Sequence, residues 1–306
     1  MYYIGFDIGG TKCAVSLAKY INNTIEIIER QETQTKTSPN ATIDVFVPFV
    51  TTWKEKYNVT KSGISCGGPL DASKGIIIST PNLSKDWHGF EIVSYIKSRF
   101  GLSAKLENDA NASAVAEWKF GAGSGTKNMI FMTFGTGLGA GLIIDGKLYS
   151  GTNGNAGEIG HIRLDKDGPI GYNKAGSAEG FCSGNGIKRL AQIRAEEQGV
   201  LIDNYITTKT IFEKAKQGDK FYLSVITECA EKFAYVVSML IDLFNPEVIV
   251  AGGVFMRNYD FFMSIITPIL EKECLPDSYK VCKILPAKIG ENIGDYAALA
   301  IAVLEN

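Results

Sequence analysis

The chain has 306 residues, of which 45% are hydrophobic and 21% charged, with a formal net charge of −2. That apolar content excludes a disordered chain, and the near-neutral charge leaves no electrostatic footprint for nucleic acid. A chain of this length buries roughly 75% of the surface that its unfolded form exposes, and single cores stop growing near this size, so two lobes are expected.

Six cysteines, Cys13, Cys66, Cys182, Cys229, Cys274 and Cys282, form no CxxC pair. They read as the reduced thiols of a cytoplasmic protein. The first residues carry no basic segment and run into Asp7 and glycine, which is not the pattern of a signal peptide. No apolar run approaches the ~20 residues of a membrane span, so no membrane association is expected.

In chain order, residues 2–6 form a short apolar run, ended by Asp7 and then Gly9-Gly10. Residues 13–18 and 25–29 carry β-compatible side chains in partial alternation. These predict a strand, a tight glycine turn, and further antiparallel strands. Residues 41–57 read as helical, 63–66 as a short buried strand and 81–87 as turns. Over 91–100, Ile92, Ile96 and Phe100 share a helical face, and Gly101 supplies the stop. A new start follows near 105, with Asn108-Asp109 at an N-cap and a helix behind it. Residues 129–134 and 138–144 are strands around a glycine turn, and 149–161 is a glycine-rich loop. From 183 to 273 the pattern is mostly helical, with a strand at 248–251. A last strand is placed at 283–284 and a last helix at 294–304.

Five clusters carry candidate chemistry. In Asp7-Ile8-Gly9-Gly10-Thr11-Lys12, adjacent glycines bring backbone N–H groups close to an anion, and Thr11 adds a hydroxyl. Asp7 suits a magnesium ion that bridges phosphates. Lys12 follows threonine rather than glycine, and the turn opens a strand, so this is neither a Walker A loop nor a dinucleotide fingerprint. Taken alone, it is also what an ordinary hairpin turn looks like. Gly135-Thr136-Gly137 repeats the grammar about 130 residues later, which makes a two-sided phosphate clamp credible and suggests two related lobes. Gly252-Gly253 ends a strand and enters a helix, a place where free N–H groups can meet a phosphate or nucleoside, or simply where the chain turns. Asn108-Asp109 offers one side chain for the cap and leaves the other for general-base work. Glu158 and His161, three residues apart, with Glu179 further on, suit vicinal sugar hydroxyls.

These pieces, in this order, resemble the ROK family of repressors, open reading frames and sugar kinases. The resemblance spans nearly the whole chain: DIGGTK at 7–12, GGPLD at 67–71, TPNL at 80–83, ENDAN at 107–111, GTGLGAG at 135–141, GNAGEIGH at 154–161, AEGFCSG at 178–184 and NPEVIVAGG at 245–253. It implies an α/β, two-lobed actin/hexokinase-like (ribonuclease H-like) fold with a duplicated mixed-sheet core. The expected lobes are 1–117 with about 292–306, and 118–291. It implies an ATP-dependent hexokinase, glucokinase-like and acting on the 6-hydroxyl. The alternatives are an N-acetylhexosamine kinase, for instance on N-acetylmannosamine, or a sugar-sensing protein without catalysis.

Carried over by position, Asp7, Gly9, Gly10, Thr11 and Lys12 form the first phosphate loop, Thr136 and Gly137 the second, and Gly252 and Gly253 lie near the nucleotide. Asp109 is the base. Asn82, Asn108, Glu158, His161 and Glu179 grip the sugar, with Gly68 approaching by backbone. The partners implied are ATP with Mg2+ and a small sugar, and the assembly a homodimer. The family's pattern GPxCxCGxxGCxE, whose cysteines hold a zinc with the histidine, departs here: residues 168–179 read GPIGYNKAGSAE. All three cysteine positions are lost, so no structural zinc is expected and His161 is left to the sugar. The repressor branch carries a helix-turn-helix ahead of the first loop, for which the six residues before Asp7 leave no room.

Overall fold

A computed structural model describes residues 1–304. Its first part runs through β1 (Tyr2–Ile8), β2 (Lys12–Ile21), β3 (Thr24–Gln34), α1 (Pro39–Ile43), α2 (Val47–Tyr57), β4 (Lys61–Cys66), β5 (Leu70–Asp71), β6 (Ile76–Ile77), α3 (Ile92–Phe100), β7 (Ser103–Asn108) and α4 (Asp109–Phe120). The strands β8 (Met129–Phe134), β9 (Leu138–Ile144), β10 (Lys147–Tyr149), β11 (Ile170–Gly171) and β12 (Lys174–Ala175) follow. Then come α5 (Ala178–Phe181), α6 (Gly184–Gln198), α7 (Thr208–Lys216), α8 (Lys220–Phe244), β13 (Val248–Ala251), α9 (Gly253–Arg257), α10 (Tyr259–Glu273), α11 (Pro276–Val281), β14 (Lys283–Pro286) and α12 (Ile293–Val303). Among the described residues, no helix is long and apolar enough to cross a membrane.

The chain divides into two compact units. One comprises Met1–Gly125, Gly141–Ala156 and the chain from Lys288 onward; the other comprises Thr126–Ala140 and Gly157–Ala287. The first unit therefore takes in residues 141–156, which the expected lobes assigned to the second.

The first unit is built on a sheet of order β3-β2-β1-β4-β7. β1 pairs antiparallel with β2 and parallel with β4, which pairs parallel with β7. β1 is buried along both faces, as a central strand between two layers must be. Ile4 and Phe6 join Val15, Leu17, Phe46, Trp53, Ile64 and Trp87 in one core layer. Tyr3 and Ala18 pack with Leu299 and Ala302 of α12 in another. Each such aliphatic or aromatic side chain contributes about 1.5–3 kcal/mol on burial. The closeness of α12 depends on two glycines. A Cβ on Gly63 would lie 2.1 Å from the Ala298 carbonyl oxygen, and one on Gly5 would lie 3.0 Å from the Ala298 Cβ.

A second sheet has the order β10-β9-β8-β13-β14, and its strands β8, β13 and β14, which pair parallel, belong to the second unit. Its order repeats that of the first sheet: antiparallel hairpin strands on one side, two parallel strands on the other. This is the duplicated mixed sheet that the resemblance implies. Phe134, Phe233, Phe255 and Phe262 stack with ring centroids 5.2–5.8 Å apart. This anchors the strand end from which the second glycine turn leaves.

Two expectations differ in detail. The helix placed at 41–57 is split into α1 and α2 by a tight turn at Asp44–Phe46, and Pro48 begins the second piece, because proline has no N–H to continue the first. β7 was not expected: Lys105 and Glu107 break its apolar pattern, and only Leu106 within it is fully buried.

Candidate active site

The first glycine turn is tied down by its own backbone and by Thr35. The Gly9 N–H donates to the Lys12 carbonyl at 3.1 Å, the Thr35 hydroxyl donates to the Gly9 carbonyl at 2.6 Å, and the Thr35 N–H to the Thr11 carbonyl at 2.9 Å. The second glycine of the pair serves close approach: a Cβ on Gly10 would lie 2.4 Å from the Asn82 carbonyl oxygen and 2.8 Å from its Cβ. The turn assigned to phosphate thus packs directly against a residue assigned to the sugar. Thr11 and Lys12 are exposed beside it. Lys12 pairs with Glu32 at 3.0 Å, Glu32 with Arg30 at 2.7 Å, and Arg30 with Asp295 at 2.8 Å.

Asp7, next to last in β1, lies against the first turn of α12, where a Cβ on Gly294 would lie 2.3 Å from the Asp7 Oδ2. A helix N-terminus favours a carboxylate, yet the Asp7 carboxyl is pushed up to about 6. Burial outweighs the dipole, and the carboxylates of Asp295 and Asp109 add repulsion that Arg30 and Lys12 offset only in part. Asp295 also accepts a hydrogen bond from the Ser16 hydroxyl at 2.6 Å.

Asn108 is the N-cap of α4, its side-chain oxygen accepting from the Ala110 N–H at 2.9 Å. Asp109, the next residue, accepts from the same N–H at 2.8 Å through Oδ1 and remains exposed. Gly67 and Gly68 run over this pair. A Cβ on Gly68 would lie 3.0 Å from the Asn108 Nδ2, and one on Gly67 would lie 3.7 Å from the Asp109 Oδ2. Glu107 holds the cap from behind, accepting from the Asn108 N–H at 2.9 Å and from the Asn111 side chain at 3.0 Å. Within the first unit, then, Asp7 and Asp109 feel one another's charge, Gly10 meets Asn82, and Gly68 meets Asn108.

In the second unit the turn 135–137 is closed by the Gly135 N–H on the Gly137 carbonyl at 3.0 Å. Glu179, assigned to the sugar, lies on this turn: it accepts from the Leu138 N–H at 3.1 Å, and a Cβ on Gly137 would lie 2.5 Å from its Oε2. Gly253 adopts φ 59°, and a Cβ there would lie 2.1 Å from the Phe134 carbonyl oxygen. The glycine pair at 252–253 is therefore locked beside the strand end that carries Thr136. The loop with Glu158 and His161 follows β10 and returns to β9, the Ala140 N–H donating to the Gly157 carbonyl at 2.9 Å. A Cβ on Gly160 would lie 3.2 Å from the Glu179 Cβ, so this loop and Glu179 are neighbours.

Three residues around these groups carried no sequence signal. They are Thr35, Asp295 and Tyr172, whose phenol donates to the Glu158 Oε2 at 2.9 Å. Tyr172 replaces one residue of the family's metal-binding segment, which here folds as the hairpin β11–β12. The donor set does not fit a zinc. The positions facing His161 carry no thiol, and all six cysteines are buried. Among the described residues, no group of three or more His, Cys, Asp or Glu could hold a metal. Hydrogen bonds hold the segment: the Ser177 hydroxyl donates to the Gly171 carbonyl at 3.0 Å, Arg163 to the Ala175 carbonyl at 2.8 Å, and Lys174 to the His161 carbonyl at 2.7 Å.

The sequence profile of the ROK family matches residues 3–304. A glucokinase of Streptomyces coelicolor is 31% identical over 98% of this chain and 96% of its own. Among solved structures, a ROK hexokinase from Thermus thermophilus superposes with a TM-score of 0.83 at 23% identity, covering 98% of each chain. A ROK family glucokinase from Streptomyces griseus, solved with glucose and AMPPNP, is 30% identical with a TM-score of 0.77, again over 98% of each chain.

Proposed function

The chain belongs to the ROK family and has its α/β actin/hexokinase-like fold, and from that premise we propose that it is an ATP-dependent sugar kinase. The reading is that it transfers the γ-phosphoryl group to a hexose hydroxyl, the 6-hydroxyl of glucose, with Asp109 as general base. The observation that carries it is the meeting of two sets in one unit: Gly10 of the phosphate turn against Asn82, and Asp7 within electrostatic reach of an exposed Asp109. The relatives named glucokinase, at about 30% identity, support the choice of sugar.

In this mechanism Asn108 caps α4 and so fixes the carboxylate that follows it. The Asp109 oxygen takes the proton from the attacking hydroxyl as the sugar oxygen bonds to the γ-phosphorus, and the bond to the β-phosphate oxygen breaks to release ADP. The N–H groups of the first glycine turn and Lys12 stabilise charge on the phosphoryl oxygens, because positioning and electrostatics are what this reaction requires of a protein. Magnesium carried on the nucleotide would neutralise phosphate charge, and Asp7 is the residue that would face it. By the family resemblance, the second unit holds its own sugar residues, Glu158, His161 and Glu179, and its own nucleotide residues, Thr136, Gly137, Gly252 and Gly253. The six free, buried cysteines agree with a reducing, cytoplasmic setting.

The test is ADP release with Mg·ATP against glucose, mannose, fructose, allose, glucosamine, N-acetylglucosamine and N-acetylmannosamine. Turnover strongest on glucose is expected, and Asp109→Asn should reduce kcat by about 10²- to 10⁴-fold while sugar binding persists. Preference for N-acetylmannosamine would replace the substrate and keep the class. Near-normal turnover in Asp109→Asn would remove that residue from its role. Sugar binding without turnover would make the protein a sensor.

A further inference from the structure

The turn of the hairpin β11–β12 consists of Tyr172 and Asn173, both in the left-handed region at φ 51° and 56°. Consecutive positive φ values are what a two-residue hairpin turn needs, and glycine and asparagine adopt them most readily. A tyrosine in that conformation calls for a reason, and its side chain supplies one. The phenol donates to the Glu158 carboxylate at 2.9 Å. The ring stands edge-on to the His161 imidazole, with centroids 5.5 Å apart and planes at 89°. Between those two residues, a Cβ on Gly160 would lie 3.0 Å from the Tyr172 Cε2, so the ring spans the loop from Glu158 to His161. Tyr172 is itself 45% exposed, too open to matter greatly as core.

We propose that Tyr172 is a positioning residue for the sugar: its hydroxyl aims the Glu158 carboxylate and its ring edge fixes the plane of His161. This rests on the reading of Glu158 and His161 as sugar ligands. Two exposed side chains on a glycine-rich loop would otherwise sample several rotamers, and each would have to be ordered when the sugar arrives. A phenol hydrogen-bonded to a carboxylate is a charge-assisted contact, strong enough to select one rotamer. The arrangement places this job on an organic side chain at the point where the loop has no metal ligands. Tyr172 touches no reacting atom; it acts through Glu158 and His161.

The experiment is a double-mutant cycle between Tyr172→Phe and Glu158→Gln, read as KM for the sugar that wild type turns over best, kcat, KM for ATP and melting temperature. Tyr172→Phe keeps the ring and loses only the hydroxyl. It should raise the sugar KM about five- to tenfold, with kcat and the ATP KM within about twofold and no loss of melting temperature. In the Glu158→Gln background the same substitution should change the sugar KM by less than about twofold, since the carboxylate it aims is gone. Tyr172→Ala should raise the sugar KM further than Tyr172→Phe by freeing His161. Additive effects in the cycle would overturn the proposal, as would a fall in kcat and melting temperature together without a change in sugar KM. A raised KM in Glu158→Gln beside an unchanged one in Tyr172→Phe would overturn it and leave the kinase reading intact. If wild type neither binds nor turns over any sugar, the kinase reading fails and the proposal falls with it.

Discussion

Replacing Asp7 by asparagine isolates the electrostatics at the end of β1, because the substitution keeps the shape and removes the charge. In the folded chain this carboxyl titrates near 6, against its ordinary 3.8. Below pH 3.8 the folded and unfolded chains both hold the proton, and the aspartate carries no penalty. Between 3.8 and 6 the folded chain holds a proton that the unfolded chain has released, so stability falls as pH rises; above 6 the whole penalty is present. At about 1.4 kcal/mol for each tenfold change in proton affinity, that penalty comes to about 3 kcal/mol. The first unit contains about 160 residues; for a unit of that size such a change corresponds to about 6–12 °C in melting temperature. Asp7→Asn should therefore melt well above wild type at pH 7.5, in buffer without nucleotide or magnesium, and the two should converge as pH falls towards 4. Scanning calorimetry across that pH series is the assay. Equal melting temperatures at pH 7.5, or a difference that does not shrink on acidification, would refute the account of Asp7 as a carboxylate held against burial and the charges of Asp295 and Asp109. If the account holds, the variant should also have lost most of its turnover, which is the pattern expected where a stabilised residue was serving function.

Gly10→Ala should lower the melting temperature and raise KM for both ATP and sugar, because the new methyl meets the Asn82 backbone carbonyl 2.4 Å away and one of the two segments must move; calorimetry together with steady-state kinetics, each substrate varied, is the check. Gly253→Ala combines a left-handed φ of 59° with a methyl 2.1 Å from the Phe134 carbonyl oxygen, and should lose at least about 2 kcal/mol, readable by chemical denaturation. Glu179→Ala strips the Leu138 N–H of the carboxylate it donates to and should weaken sugar binding by titration calorimetry by about tenfold or more.

Much of this was legible from residues alone, and the limits have physical causes. The strand–turn–strand around Gly9-Gly10 and its repeat around Gly135-Thr136-Gly137 could be read because glycine pairs and apolar alternation are local signals. Asn108 as N-cap, with Asp109 beside it, could be read because capping is chemistry within two residues. β7 could not, because Lys105 and Glu107, charged yet half-buried, mask the alternation and only pairing with β4 makes it a strand. Asp295 could not be joined to Asp7: nearly three hundred residues separate them in the chain, and no local pattern announces a carboxylate brought in by the far end. Tyr172 was the least visible of all, since tyrosine is a poor turn former and its partners lie 11 and 14 residues upstream.

The docking of α12 on β1 and β4 also has a temporal side. The Gly5 and Gly63 faces await Ala298, which leaves the ribosome about 230 residues after β4 is complete. At typical rates of synthesis the first sheet spends roughly 10–45 s with that face uncovered. The unit that begins first is thus among the last to close, and the growing chain carries an unroofed apolar sheet while the residues between β4 and α12 are made. Chaperone dependence, and sensitivity to even short losses at the end of α12, should follow from this order of events more than from any weakness in the finished fold.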